Sequence, residues 1–596
     1  MVTTILGQVK EYKKDALLTP LFAALEVLME VLIPFTTALV IDEGIQAGNV
    51  KNVYFYGGIM AVLAMFSLLF GVLAGKYAAS ASTGLACNLR DGMYENIQNF
   101  SFSNIDQYST AGLVTRMTTD VTNVQNAYQM ILRIAVRAPM TLISSLVMCF
   151  VIQAKLSLIF VGAIVVLGGL LALIISRSTK IFDIVFKRYD ALNASVQENL
   201  SAIRVVKAYV REPHENVKFT KAAENVYRLF VKAEGILAFN NPVMMLVVYS
   251  CMIALSWFGA RFVVSGSLTT GELTSMFSYV MSVMMSLMML SMVFVMVTMS
   301  VASGHRIAEV LKEVPDIVNP VNPVKCIPDG SIDFNEVCFA YKKDGKEEAL
   351  SGINLHIRAG ETVGIIGGTG CGKSTLVNLV SRLYDVSSGS VCVGGRDVKE
   401  YDLEVLRSQV AVVLQKNVLF SGTVIDNLRW GCETATEAKC REACRQACAD
   451  AFVEALPEGY DTYIEQGGTN LSGGQKQRLC IARALLRKPQ ILILDDSTSA
   501  VDTSTDAHIR DSFARNIPGV TKLIIAQRVS SVQNADRILV LNDGRVSGFD
   551  THGNLLGSNE IYREIYDTQV KGAGDFDQQE TSVREVHDRG RKDGVR

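Results

Sequence analysis

The sequence predicts an α-helical membrane domain, six transmembrane helices with long cytoplasmic extensions, fused to an α/β phosphate-loop domain. Two observations carry this. Long apolar stretches crowd the first 304 of 596 residues, and the second half holds a Gly-rich strand–loop–helix pattern followed by an Asp-tipped strand. Whole-chain numbers hide the division: hydrophobic residues make up 49%, charged residues 19%, and the net charge is −2. Near-neutral charge argues against nucleic acid as a partner. The apolar content excludes disorder for most of the chain.

Residues 52–75, 138–154, 156–176, 236–260 and 273–304 contain no Asp, Glu, Lys or Arg. Residues 16–41 form a sixth span, interrupted by Glu26 and Glu30. A crossing helix needs about 20 mostly apolar residues, and 138–154 reaches that length only by continuing past Arg137. Residues 16–41 are too long, and lack the small-residue cleavage pattern, for a signal peptide. With the N-terminus inside, residues 1–15, 76–137 and 177–235 are cytoplasmic and carry 3, 5 and 11 Lys/Arg, against only Lys51, Lys155 and Arg261 outside. That bias fixes the orientation and returns the chain to the cytoplasm. The expected localisation is therefore the cell membrane, multi-pass, with the N-terminus and the second half cytoplasmic. The expected domains are a membrane domain (1–304), a Pro-containing linker (305–330), a phosphate-loop domain (331–570) and a disordered polar tail (571–596).

Twelve cysteines include no C-x-x-C pair, and a cytosolic face disfavours disulfides. Cys440, Cys444 and Cys448 share one helix face with no fourth ligand near, so helix packing is expected rather than a metal site.

In the second half, the apolar strand Thr362–Ile366 leads into Gly367-Gly-Thr-Gly-Cys-Gly-Lys-Ser-Thr375 and then a helix. Gly367, Gly370, Gly372, Lys373 and Ser374 match a phosphate-binding loop. Its glycines let backbone N–H groups close around phosphate, Lys373 reaches the β/γ-phosphates, the Ser374 hydroxyl binds Mg²⁺, and the helix N-terminus favours the anion. Cys371 inside the loop exposes binding to thiol reagents. Downstream, Ile491–Asp495 is an apolar strand ending in a carboxylate, a hard oxygen ligand for Mg²⁺. Between them lies Leu471-Ser-Gly-Gly-Gln475, preceding a helix.

Phosphate loop, Leu-Ser-Gly-Gly-Gln and Asp-tipped strand, in this order, resemble the nucleotide-binding domain of an ABC transporter. Six preceding spans with long inner loops resemble the exporter half-transporters of that superfamily, over roughly residues 5–570. More closely, the chain looks like the degenerate-site subunit of bacterial heterodimeric multidrug exporters. The resemblance implies an ABC ATPase using ATP and Mg²⁺. It implies that Tyr341 stacks on adenine, that Thr375 lies in the phosphate site, and that Gln415 contacts Mg²⁺ and the attacking water. Ser499-Ala-Val-Asp502 would link two ATP sites, each formed by the phosphate loop of one subunit and Ser472, Gly473, Gly474 and Gln475 of the other. Short helices near Ser101–Ala111 and Arg204–Val210 would couple the domains.

Two positions depart from the pattern. Asp496 stands where the family has Glu to orient or deprotonate water, and Gln527 where it has His on the γ-phosphate. Asp is shorter by about 1.5 Å, and an amide cannot carry imidazolium charge. With the signature Leu471–Gln475 intact, the expectation is a chain that binds ATP, hydrolyses it poorly, and completes a competent site on a partner half-transporter.

Residues 273–304 hold nine methionines. Flexible, polarizable Met suits adaptable surfaces, so Met281, Met285, Met288 and Met292 are candidate contacts for a small lipophilic substrate or membrane lipid. Glu26 and Glu30, one turn apart, suggest cationic substrates; the alternatives are an inner-leaflet position or a pairing with a basic group. Alternatives are a dedicated lipid or peptide exporter, or a regulatory ATP-binding subunit that gates its partner; the absence of a peptidase segment before the first span weakens the peptide case.

Overall fold

Charge-free runs of this length fold as helices because a helix satisfies its own backbone groups in an apolar medium. The computed structural model describes residues 1–341, 347–496 and 503–569, though not every side chain between 171 and 190. It divides into two compact units, Met1–Asn99 with Tyr108–Glu313, and Phe100–Gln107 with the described residues from Val314 onward. The expected tail lies outside the described residues.

The first unit is helical. Lys10–Gln46, Val50–Asn99, Thr110–Ser178, Glu212–Val264 and Thr270–Lys312 are long and apolar enough to cross a membrane. These are five stretches where six spans were expected, because 138–154 and 156–176 fall within one helix, Val121–Ser201. Gln153 breaks it into two legs, leaving helical geometry at φ −153°, ψ 100°. Unbroken, it would run about 120 Å, four times a bilayer core of about 30 Å. The last helix starts at a capping box, where Glu272 N donates to Thr269 Oγ1 and Thr269 N to Glu272 Oε2. It runs to Lys312, past residue 304, so the first part of the expected linker is helix. The core gathers Val27, Val31, Leu156, Phe160, Leu255, Met276 and Tyr279. Buried Tyr279 donates to Val31 O at 2.7 Å, satisfying the one polar atom of its ring.

The second unit is α/β. An antiparallel sheet is formed by β1 (Ile332–Phe339), β2 (Leu350–Ile357), β4 (Ser388–Val393) and β5 (Arg396–Asp397), in the order β2-β1-β4-β5. The main sheet contains β3 (Thr362–Gly367), β6 (Val410–Val413), β9 (Ile491–Asp495), β10 (Thr521–Ile525), β11 (Arg537–Asn542) and β12 (Arg545–Asp550). A small pair, β7 (Gly422–Thr423) and β8 (Tyr463–Ile464), completes the unit. The main-sheet order is β12-β11-β3-β10-β9-β6, parallel except for the edge strand β12. Strands covered on both faces read as continuous apolar runs; Ile491, Leu492, Ile493 and Leu494 are all buried.

Candidate functional site

Four neighbouring parallel strands deliver the site. In spatial order, β3 ends at the phosphate loop, β10 leads to Gln527, β9 ends at Asp495 and Asp496, and β6 leads to Gln415. The register sets Ile525 beside both Ile365 and Asp495, so the strand ends lie level. Ligand sites in open parallel sheets form at this carboxyl edge.

The phosphate loop needs its glycines. Gly370 has φ +83° and Gly372 φ +98°, the left-handed region that glycine adopts without cost. A Cβ on Gly372 would also meet Ala349 O at 2.8 Å. Gly372 starts the helix Lys373–Val380, whose first N–H groups face the loop. The Lys373 ammonium donates to Gly367 O at 2.9 Å and Gly368 O at 2.7 Å, folded across the mouth of the loop. Cys371 is buried, with its Sγ 3.7 Å from Lys373 Nζ.

Ser374 Oγ donates to Asp495 Oδ1 at 3.0 Å, joining the two groups expected to hold Mg²⁺. A hydroxyl and a carboxylate beside a phosphate cradle are the hard oxygen donors that ion takes. Burial pushes the Asp495 carboxyl above its ordinary value; the Ser374 hydrogen bond opposes this and the Asp496 charge adds to it.

Asp496 is buried and sits at φ +46°, a left-handed conformation that Asp adopts more readily than most residues. Gln527 Nε2 donates to its Oδ2 at 2.7 Å, and Gln415 Nε2 lies 3.4 Å from the same oxygen. The two residues that depart from the family pattern thus touch each other. Gln569, which no motif marks, pins the loop after β10: its side chain donates to Gln527 O at 2.8 Å and accepts from Val529 N at 2.8 Å.

Tyr341 is exposed, as a stacking platform must be, and its hydroxyl is 2.9 Å from Thr375 Oγ1. Phe339 and Tyr384 pack edge-on against its ring. Ser472 caps the helix Gly473–Leu486 in a box with Gln475, which leaves Gly473 exposed at the helix start. The Gln475 side chain accepts from Ser472 N at 2.9 Å, so it orders the turn. Among the described residues, no hydrogen bond joins this signature to the phosphate loop, which leaves it a separate surface. Asp502 and its loop lie outside the described residues.

A family model described as ABC transporter transmembrane region matches residues 17–288, and one described as ABC transporter matches residues 350–499. The uncharacterized ABC transporter ATP-binding protein YfiB of Bacillus subtilis is 36% identical over 569 residues, 96% of this chain and 99% of that protein. The chain belongs to the ABC transporter family. An ATP-dependent lipid A-core flippase of Syntrophus aciditrophicus is 34% identical over 492 residues, 82% of this chain and 81% of that protein. In fold, this ABC transporter is similar to a bacterial Atm1-family ABC exporter solved with ATP bound, with TM-score 0.79 and 24% identity over 94% of this chain and 98% of the other. It joins a helical membrane domain to an ABC ATPase domain in one chain, in the fold of that exporter.

Of the two expected coupling helices in this ABC transporter, Phe102–Gln107 belongs to the second unit. Tyr384 donates to Asp106 Oδ2 at 2.6 Å and Phe102 packs edge-on against its ring, 6.0 Å between centroids. Burial, then the Asp106 carboxylate, push the Tyr384 phenol above its ordinary value. The other helix, Ile203–Ala208, stays in the first unit with Arg204, Tyr209 and Val210 around it exposed.

Of the residues expected to meet substrate, Met281, Met285, Met288 and Met292 share one exposed helix face, while Met276 and Met284 turn into the core. Glu26 and Glu30 both reach Arg137: Glu26 Oε1 is 3.4 Å from Nη1 and Glu30 Oε2 is 2.9 Å from Nη2. A basic group therefore pairs with both carboxylates, one of the two alternatives to a role in binding cationic substrates. In the cysteine row, Cys440 and Cys444 are buried in the core of the second unit, and half-buried Cys448 packs against it.

Proposed function

We propose that this chain is one subunit of a heterodimeric ATP-driven exporter that moves lipophilic or drug-like compounds from the cytoplasm or inner leaflet by alternating access. Its own site binds ATP through Tyr341, the phosphate loop and Thr375 and hydrolyses it poorly. Its signature, Ser472–Gln475, completes the active site of a second half-transporter, and its ATPase domain is cytoplasmic. Ser374, Asp495 and Gln415 would hold Mg²⁺, which neutralises phosphate charge when bound.

The observation that carries the reading is the Gln527–Asp496 hydrogen bond at 2.7 Å. A general base must reach the attacking water at about 2.6–3.2 Å. Asp496 Oδ2 instead accepts from one amide and lies against a second. An amide neither takes up a proton nor carries charge, so the two side chains do not form the acid–base pair that turnover requires. The same contact fits a regulatory role toward the partner. The similarity to a relative named as a lipid A-core flippase favours a lipidic rather than a peptide cargo within the export reading.

Co-purification from the native membrane tests this. The expected result is a second half-transporter carrying Glu and His at the positions matching Asp496 and Gln527. A stable homodimer of this chain with full turnover contradicts it.

A further inference from the structure

Glu26 is 7% exposed, and its Oε2 has no hydrogen-bond partner. A buried carboxylate oxygen left unsatisfied costs more than a mean hydrogen bond stabilises, and inside a membrane domain such a group points to a ligand. Beside it opens a cavity of about 660 Å³, lined by Glu26, Glu30, Lys76 and Arg133, with Leu68 and Val72 among its apolar walls. Its floor is bare where the charges approach. A Cβ on Gly71 would meet Glu26 Oε1 at 3.0 Å, and one on Gly75, a helical turn later, would meet Arg133 Nη1 at 3.5 Å. Arg133 makes no ion pair or hydrogen bond among the described residues.

The charges select the ligand. Arg137 already bridges the two carboxylates, and Arg133 with Lys76 leaves the cavity basic on its far side. A simple cation gains from Glu26 and loses to Arg133. A zwitterion, with an N–H donor at one end and an anion at the other, satisfies both. Lys76, Arg133 and Arg137 border the expected spans 52–75 and 138–154 at their cytoplasmic ends, the level of inner-leaflet headgroups, where basic pockets between helices hold phosphate. Leu68 and Val72 are exposed on the helix Val50–Asn99 and offer apolar surface leading away from the polar end.

We propose that this cavity binds an inner-leaflet aminophospholipid, its primary ammonium donating to Glu26 Oε2, its phosphodiester on Arg133 and Lys76, and its acyl chains along Leu68 and Val72. The proposal rests on the membrane orientation of the export reading, and its test reads binding rather than transport.

The complete transporter, with its partner chain, is released from bilayers of equal phosphatidylethanolamine and phosphatidylcholine with identical acyl chains, and retained lipid is weighed by native mass spectrometry. Phosphatidylcholine has no N–H donor. Retention of phosphatidylethanolamine should exceed it by about tenfold, the worth of one charge-assisted hydrogen bond. The Lys76→Gln, Arg133→Gln double variant should lose most retained lipid while the complex with its partner chain stays intact in the same spectra and its helical circular dichroism is unchanged, which shows that its membrane domain is folded. Gly71→Leu, which fills the floor, should lose it as well. Equal retention of the two lipids, or unchanged retention in a folded double variant, overturns the proposal. A complex that retains lipid selectively yet transports nothing supports this site and counts against the export reading.

Discussion

Gln527 Nε2 donates to Asp496 Oδ2 at 2.7 Å, and the loop that carries Gln527 is pinned from behind by Gln569. The carboxylate and the amide compensate one another: the shorter acid sits at φ +46°, within reach of a neutral donor. Neither substitution restores the site alone, because a Glu still faces an amide and a His still faces a short acid. The double variant Asp496→Glu, Gln527→His should therefore raise hydrolysis at this site, by part of the roughly 10²–10⁴-fold that a positioned base contributes, and each single variant by much less. Single-turnover assays with the partner's site inactivated measure it. No gain in the double variant contradicts the geometric explanation.

Ser374, in the first turn of the helix Lys373–Val380, and Asp495, at the end of β9, meet at 3.0 Å. Asp495→Asn keeps the size and removes the charge that Mg²⁺ needs. Nucleotide affinity measured with Mg²⁺ present should fall by about tenfold or more, whereas affinity with the metal chelated should change little. Lys373→Ala should weaken both.

Gln569 satisfies Gln527 O and Val529 N at once. Gln569→Ala should loosen this loop without touching the phosphate loop. The expected signature is faster amide exchange over residues 526–531 and a melting temperature lower by about 2–4 °C, with ATP affinity unchanged.

The glycines at 367, 370 and 372, the Lys373–Ser374 pair and the Asp-tipped strand were legible because a phosphate cradle needs those residue types at fixed spacing. Their meeting at one edge follows from parallel strands with apolar runs. What could not be read is contact across sequence. Nothing in the spacing links Gln527 to Gln569, 42 residues apart, or Asp106 to Tyr384, 278 apart. The long apolar helices were legible from charge-free runs, but their ends were not: charge marks where a helix leaves an apolar medium, not where it stops, so Val121–Ser201 covers two expected spans and Thr270–Lys312 outruns its apolar part. The Glu26–Arg137 pairing joins helices far apart in sequence, so it too appears only in three dimensions.

Arg537 Nη2 lies 2.7 Å from Glu361 Oε2 and its guanidinium stacks 4.1 Å over Phe549. Burial raises the Glu361 carboxyl, but the hydrogen bonds from Arg537 and from Arg358 N, with the charges of both arginines, outweigh it, so the net value is below the ordinary one. A depressed carboxyl contributes stability above its unfolded pKa of about 4.3, and that contribution is lost as pH falls through the folded value. Arg537→Ala should lower the melting temperature of the ATPase domain at pH 7, and the gap to the parent should narrow below about pH 4. A gap independent of pH would assign the whole effect to stacking on Phe549.

Tyr384→Phe removes the hydroxyl that holds Asp106 while keeping the ring against Phe102 and Tyr341. ATP binding should survive, and stimulation of ATPase activity by transported compounds should fall. Equal stimulation in variant and parent would show that this bond carries no coupling.

On the proposed reading this chain's two half-sites differ, and steady-state ATPase activity of the complete complex with each one altered separately measures the difference. Asp496→Ala, at the chain's own site, should leave turnover within about twofold of the parent, a change of less than 1 kcal/mol in barrier. Ser472→Ala, in the signature offered to the partner, should reduce turnover by about tenfold or more, since it removes an anion donor from the working site. A large loss from Asp496→Ala, with Ser472→Ala near the parent rate, would place the working site on this chain and rule the asymmetry out.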